Sequence, residues 1–401
     1  MTSKSRSHDC GHNISASPPN RLPLAGLFAL ATAAFITLLT EVMPAGLLSS
    51  IAKRLAVSDS LAGQFITAYA IGAFAAAIPV ASLTQGMRRR PLLLTAIFGF
   101  ALVNLVTALS DSYAVSMMAR LLAGMFGGIV WSLLAGYAVR MSPPHLGGRA
   151  IAISGAGGTI ALVLGVPLGT LLGRIIGWQG AFGLMSGLSL VLTLWIVAAV
   201  PDFPGRAKDQ RHSLTGIFLT AGIRTILFVV FTFIVAHNIL YIYIEPLLEP
   251  AGLSAAVGVV LFTFGLGSIV GLFFAGALVD RHLQSLAVVS IAVFAGAAIL
   301  LGLWGDVAPM VYPTVAAWGM AVGGFATITQ TALSRFAGQS VDVAQAMYTT
   351  GWNTAIAAAG MTGGVILNHA GTGMFPWVVL GILTATLAGV IAMNRGLSRR
   401  A

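Results

Sequence analysis

Charge is what this sequence lacks. Of its 401 residues, 8% are Asp, Glu, Lys or Arg, against roughly 25% in a soluble domain. Water does not solvate a surface so poor in charge, so lipid must be the main solvent. Cysteine is nearly absent too: Cys10 stands alone, which excludes an internal disulfide and a cysteine-pair metal site. No Gly-Lys-Ser/Thr follows any of the glycine runs, so ATP is not this chain's energy source. Nor is there an HExxH, a pair of intramembrane acids or a nucleophile elbow, so neither an enzyme nor a metal or other cofactor is expected. Acidic residues number 11 against 21 basic ones. The basic ones sit in short loops rather than in one patch, which argues against nucleic acid as a partner.

What the sequence has is apolar length. Hydrophobic residues make up 57% and glycines number 48, a combination suited to membrane helices whose backbones approach closely at small residues. With about 20 apolar residues needed per crossing, spans are expected near 24–49, 60–83, 91–110, 114–139, 149–173, 179–200, 222–246, 254–278, 285–304, 308–333, 343–367 and 374–394. The runs are continuous rather than alternating, which excludes a β-barrel. The first 22 residues are polar, and the stretch after them is too long for a signal peptide, so it is read as the first span.

Loop charges give an orientation. One set holds Arg88, Arg89 and Arg90, then Arg140, Arg149, Arg206, Lys208, Arg211, Arg281 and Arg335, together with both termini. The opposite set holds only Lys53, Arg54 and Arg174. Basic loops stay in the cytoplasm, so both termini are expected there, in a multi-pass protein of the cell inner membrane with an even number of spans. The polar stretch after Pro201 divides the chain. The loops Ala81–Arg90 and Gly276–His282 both place a small residue and a leucine before a basic turn. The expected fold is therefore all-α: twelve transmembrane helices in two six-helix pseudo-symmetric bundles around a central cavity. A tail (1–22), a first bundle (23–200), a linker (201–221) and a second bundle (222–401) make up the chain. Paired repeats of this kind place a small-molecule site near the midplane between them.

Several segments carry a family likeness: Thr40–Leu48 at the end of the first span, Asp280 and Arg281 after Gly276, Arg120–Gly124, Gly165–Gly169 followed by Trp178–Phe182, and Tyr241–Pro246. In their order and spacing they resemble the major facilitator superfamily over nearly the whole chain. More narrowly they resemble its twelve-span drug:proton antiporters and the sugar- and nucleoside-efflux relatives of these. The chain departs from the pattern in having Gln85 where the first loop carries an acid, Ala81 for its first glycine, Gly-x-Pro for adjacent Gly-Pro, and Gln179 after Trp178. The resemblance implies a proton-coupled exporter of drug-like, sugar or nucleoside molecules, working by alternating access as a monomer. A proton-linked importer or facilitator on the same fold is the alternative. It also implies a gating loop motif at Gln85, Arg89, Arg90, Asp280 and Arg281, and a helix-bending motif at Gly165, Pro167 and Gly169.

Ionisable groups inside a bilayer cost at least about 2.5 kcal/mol and mark transport pathways. The candidates are Glu41, Arg120, His237 and Glu245. Glu41 lies about eight residues before the end of its expected span and Arg120 about six after the start of its own, which puts them at similar depth. They are expected to pair, either as a proton-coupling device that opens on protonation or as a permanent fastener of two helices. His237, Asn238, Tyr241 and Glu245 run along the seventh span. His237 is either a proton relay or a neutral histidine bonded to a neighbour, and Glu245 sits near the outer interface. Asn353, Trp352, Trp131, Asn238, Tyr241, Tyr69 and Phe65 are the candidate substrate-binding residues, since amides and aromatic rings in a midplane cavity hold amphipathic molecules.

Overall fold

The computed structural model describes residues 21–205 and 214–398. Cys10, Arg206, Lys208, Arg211 and the ends of both tails lie outside them. Among the described residues there is no strand. Helices α1 (Leu24–Val42), α2 (Asp59–Leu83), α3 (Arg89–Leu109) and α4 (Tyr113–Met141) lead into a 53-residue helix, Gly147–Ala199. That helix turns at Gly177, where φ is 72° and ψ 163°, a region that only glycine occupies readily. Its arms, 147–176 and 178–199, are α5 and α6. After the linker comes α7 (Ala221–Ile242), then a 48-residue helix, Val257–Trp304, with an elbow at His282 (φ −125°, ψ 35°). Its arms, 257–281 and 283–304, are α8 and α9. The chain ends with α10 (Ala308–Ala337), α11 (Val341–Ala370) and α12 (Phe375–Ser398). Among the described residues nine helical stretches are long and apolar enough to cross a bilayer, and two of these, at 48 and 63 residues, are long enough to cross twice. With α5 added, the backbone provides the rods for the expected twelve crossings.

The first rod is shorter than the hydropathy suggests. It ends at Val42 and not near residue 49, because Met43–Gly46 winds into a 3-10 turn with Pro44 in its first positions. Proline has no N–H to continue the helical ladder. Helix resumes at Leu48–Leu55, and Ala56 in the left-handed conformation (φ 53°) ends it. The seventh rod likewise stops at Ile242, before a short helix at Ile244–Leu248.

Glycines let the rods approach to backbone contact, and they do so in the same way twice. In the first half Gly72 of α2 faces the Leu121 carbonyl of α4, and Gly124 of α4 faces the Tyr69 carbonyl of α2. In the second half Gly267 and Gly271 of α8 face carbonyls of Ala316 and Met320, while Gly319 and Gly323 of α10 face those of Phe264 and Ser268. Each half has its own apolar core, one running from Leu27 to Val200 and one from Ile217 to Val390. The halves meet where α5 lies along α8, with Gly265 against Val163 and Gly276 against Ala152. They meet again where Ala77 and Ala81 of α2 cluster with Ala346 of α11. Gly124→Val and Gly271→Val each drive a side chain into a backbone carbonyl and should lose about 1–3 kcal/mol. Gly187→Ala and Gly381→Ala meet nothing within 4 Å and should be tolerated. Thermal unfolding of the four purified variants checks the contrast.

Candidate functional site

Arg120 is the largest charged group in the interior. It sits on α4, is 0% exposed, and lies against α2 and α6. Its Nε donates to the Phe65 carbonyl at 3.2 Å. Its guanidinium lies 4.9 Å from the Tyr69 ring centre and 5.3 Å from that of Phe182, within the range of cation–π attraction. Among the described residues Nη1 and Nη2 have no hydrogen-bond partner, and neither has Nε1 of Trp178, which stands edge-on to Phe65 and Phe182. The Tyr69 hydroxyl donates to the Thr37 carbonyl of α1 at 3.3 Å. Phe65 and Tyr69 are buried, so in this conformer they wall the arginine rather than line open space.

Glu41 is partly buried at the last turn of α1, and its charge and that of Arg120 act on each other. The expected contact pair is nevertheless not formed: among the described residues the ion pairs within 4.0 Å do not include these two. The early end of α1 places Glu41 at the tip of its rod, while Arg120 turns to the Phe65 carbonyl and the two rings. A buried guanidinium with two idle nitrogens is costly, and a carboxylate reaching it would satisfy them. Gly169 packs on Met43, one step beyond this end of α1. Gly165 and Pro167 belong to α5, but their surroundings lie outside the described residues.

The second half holds an aromatic cage. The His237 ring is stacked on Phe264 at 5.6 Å and touches Tyr241 and Trp318 at 5.2 and 5.5 Å. Trp318 is completely buried and stacks on Phe294 at 6.0 Å. His237 Nδ1 and Trp318 Nε1 both lack partners among the described residues. No carboxylate contacts His237 among the described residues, so the cage offers a proton no onward acceptor. Tyr241 is partly exposed, and Asn238, buried, donates to the Ile234 carbonyl of its own helix at 2.9 Å. Asn353 does the same with the Thr349 carbonyl at 2.9 Å. Trp352 leans on Tyr348 at 5.7 Å, and Trp131 lies against Gly158 of α5. Glu245 is exposed in the first turn of its short helix, a placement that a helix N-terminus favours for an acid.

Among the described residues the polar ties between the two halves lie at one end. At the end where the basic loops lie, Asp342 of α11 accepts from Arg89 and Arg140 of the first half, each at 3.0 Å. Asp342 and Arg89 are both almost wholly buried. The acid that the first loop lacks at Gln85 is thus supplied from the other half. Gln85 is buried, and its carbonyl accepts from Arg89 at 3.2 Å. A second tie mirrors the first: Asp280, at the end of α8, accepts from the N–H groups of Gly148 and Arg149 at 2.6 and 3.0 Å. A carboxylate at the N-terminus of α5 meets both its free donors and its dipole. Arg335 supports it by donating to the Asp280 carbonyl at 3.0 Å. Arg90 and Arg88 instead hold Asp202 and the end of α6 within the first half. Arg281 makes no ion pair among the described residues. At the opposite end the described residues show no polar tie between the halves, so this conformer is closed at the basic end.

Residues 30–360 match the Major Facilitator Superfamily. The chain belongs to this superfamily. It is 27% identical over 367 residues to a Helicobacter pylori (strain ATCC 700392 / 26695) protein named "Probable sugar efflux transporter", covering 90% of this chain and 94% of that one. It is 30% identical over 375 residues to the "Uncharacterized MFS-type transporter YfhI" of Bacillus subtilis (strain 168), covering 91% and 92%. The crystal structure of the human organic anion transporter MFSD10 (TETRAN) has the same fold: its TM-score is 0.71 at 17% identity, over 93% of this chain and all of that one.

As a superfamily member the chain is a multi-pass membrane transporter and not an enzyme. Four of the transporter's notable side chains were given no site role from the sequence. Asp342 and Arg140 make the buried tie, and the signal for it was available: an acid in the first turn of an apolar span, in a chain with 11 acids in all. Trp178 packs on Phe65 of α2 as well as on Phe182 of its own helix, and Trp318 on rings of α7, α8 and α9; no spacing along the chain records the contacts between helices.

Proposed function

We propose that this transporter exports a small, uncharged or weakly cationic molecule of the sugar, nucleoside or drug-like class in exchange for protons, across the inner membrane. The observation that carries the reading is Arg120, fully buried with two unpartnered nitrogens in electrostatic reach of Glu41. An ionised Glu41 is drawn to that cation, and a protonated one is not. Proton binding and release at Glu41 therefore changes how α1 and α4 attract each other. The names of the Helicobacter relatives favour sugar efflux. The scarcity of buried charge argues against a polyanionic substrate.

Basic loops face the cytoplasm, so the end closed by Asp342 and Asp280 is assigned to that side, and the conformer is one closed toward the cytoplasm. A proton enters from outside and neutralises Glu41, the ties at the cytoplasmic end open, and the halves rock to expose the cavity inward. The proton then leaves to the cytoplasm, and substrate bound from that side is carried outward. Tyr241, Asn353 and Trp352 are assigned to the substrate, with Trp131, Asn238, Tyr69 and Phe65 shaping the cavity as it opens. Arg89, Asp280 and their partners form the gate. The aromatic surround of His237 supports the neutral, packed reading of that residue, so transport by His237→Asn should keep its dependence on external pH. Loss of that dependence would restore the relay.

The test is accumulation of a panel of labelled sugars, nucleosides and amphipathic compounds in cells with and without the protein. At least one compound should accumulate less when the protein is present, and Glu41→Gln should restore its level. A Glu41→Gln protein that lowers accumulation as well as wild type does would overturn the reading.

A further inference from the structure

The second half contains a cavity of about 470 Å³ that the transport cycle does not use. It opens at the basic end, between the starts of α7 and α9 and the ends of α10 and α12. The elbow at His282 stands at its rim, and His282 itself lines it. The walls in its depth are aliphatic and buried, among them Ile226, Ile328 and Val390. Its mouth carries Arg281 and Arg335, with His282, Gln284 and Ser285 beside them, and among the described residues no carboxylate lines it. Arg281 has no ion-pair partner among the described residues. Arg335 is half exposed, with the Asp280 carboxylate 3.8 Å away.

We propose that this cavity is a binding site for an anionic phospholipid. The phosphate sits on Arg281 and Arg335, with Gln284 and Ser285 as further donors, and an acyl chain enters the aliphatic interior. Basic pockets between membrane helices on the cytoplasmic side hold headgroups in this way. The walls favour a lipid over a soluble anion: they offer a hydrophilic ion no hydrogen bonds, and the one hydroxyl in the depth, Thr329, is already engaged with the Phe325 carbonyl and the Tyr348 hydroxyl. The site also touches the gate. Arg335 holds both the cavity mouth and Asp280, so a phosphate that draws Arg335 away removes support from the tie between α8 and α5.

The test is lipid retention by the purified full-length protein, read by native mass spectrometry after exchange into equal amounts of phosphatidylglycerol and phosphatidylcholine with the same acyl chains. Two arginines at the headgroup should give roughly a thirtyfold preference for phosphatidylglycerol. Arg281→Gln/Arg335→Gln should retain the two lipids equally. Ile328→Trp, which fills the cavity and keeps both arginines, should also lose the preference. Millimolar inorganic phosphate should leave the bound lipid in place. Equal retention of the two lipids by wild type, an unchanged preference in the double arginine variant, or displacement by phosphate would each overturn the proposal. The readout is bound lipid, so it does not depend on whether transport is coupled to protons.

Discussion

Glu41→Gln in proteoliposomes is expected to abolish uphill export and to leave substrate exchange intact. Glutamine has the shape of a protonated glutamate and cannot lose its proton, so the variant stays in the state that does not attract Arg120. The size of the effect follows from the energy of the proton. One charge crossing 100 mV carries about 2.3 kcal/mol, which sustains roughly a fiftyfold concentration ratio. Wild type should approach that ratio under an imposed potential, and Glu41→Gln should settle near equality on the two sides. Counterflow of labelled against unlabelled substrate, which needs no proton, should continue in the variant. A variant that still concentrates substrate would assign coupling to another group. One that also loses counterflow would make Glu41 a part of the packing or of the substrate site.

Asp342→Asn should open the basic end. The Asp342 carboxylate accepts from Arg89 and Arg140, and its loss leaves two cations side by side at the seam. Removing one partner of a buried pair costs about 3–5 kcal/mol. Arg140 is partly solvated, which favours the lower end of that range. The cost falls on the closed conformer alone, since the charges separate into water when the halves part. Ala346, fully buried between the halves, reports the change. In a Cys10→Ser background, Ala346→Cys should be protected from a thiol reagent, and adding Asp342→Asn should speed labelling by roughly a hundredfold. Arg140→Gln added to Asp342→Asn should restore part of the protection, because it removes one of the facing charges. Unchanged labelling in Asp342→Asn would mean that packing alone holds this end shut.

The rods were readable because apolar length is a strong and nearly one-dimensional signal. Their ends were not. The first span reads as continuous hydrophobicity through Leu48, yet Pro44 and the 3-10 turn at Met43–Gly46 stop it at Val42. That shift matters for the site, since depth counted from the wrong end put Glu41 inside a helix instead of at its tip. The likeness of the two loops pointed to Arg89 and Asp280, and both do bridge the halves. Gln85 broke the pattern, and its meaning emerged only with the fold: the missing acid comes from α11, more than 250 residues away along the chain. Arg120 could be recognised as buried, but its cation–π partner Phe182 lies on another rod, and the direction in which a long side chain leans is a property of packing. The cage around His237 is of the same kind, built from α7, α8 and α10.

The most direct measurement of proton coupling at Glu41 is the proton movement that accompanies a transported sugar entering proteoliposomes with no gradient imposed. A pH dye trapped inside should report alkalinisation as sugar enters wild-type vesicles, because inward sugar drives protons out. Glu41→Gln vesicles should take up the sugar to equilibrium with no change in the dye. The same alkalinisation in Glu41→Gln, or sugar entry through wild type without any proton movement, would contradict the account.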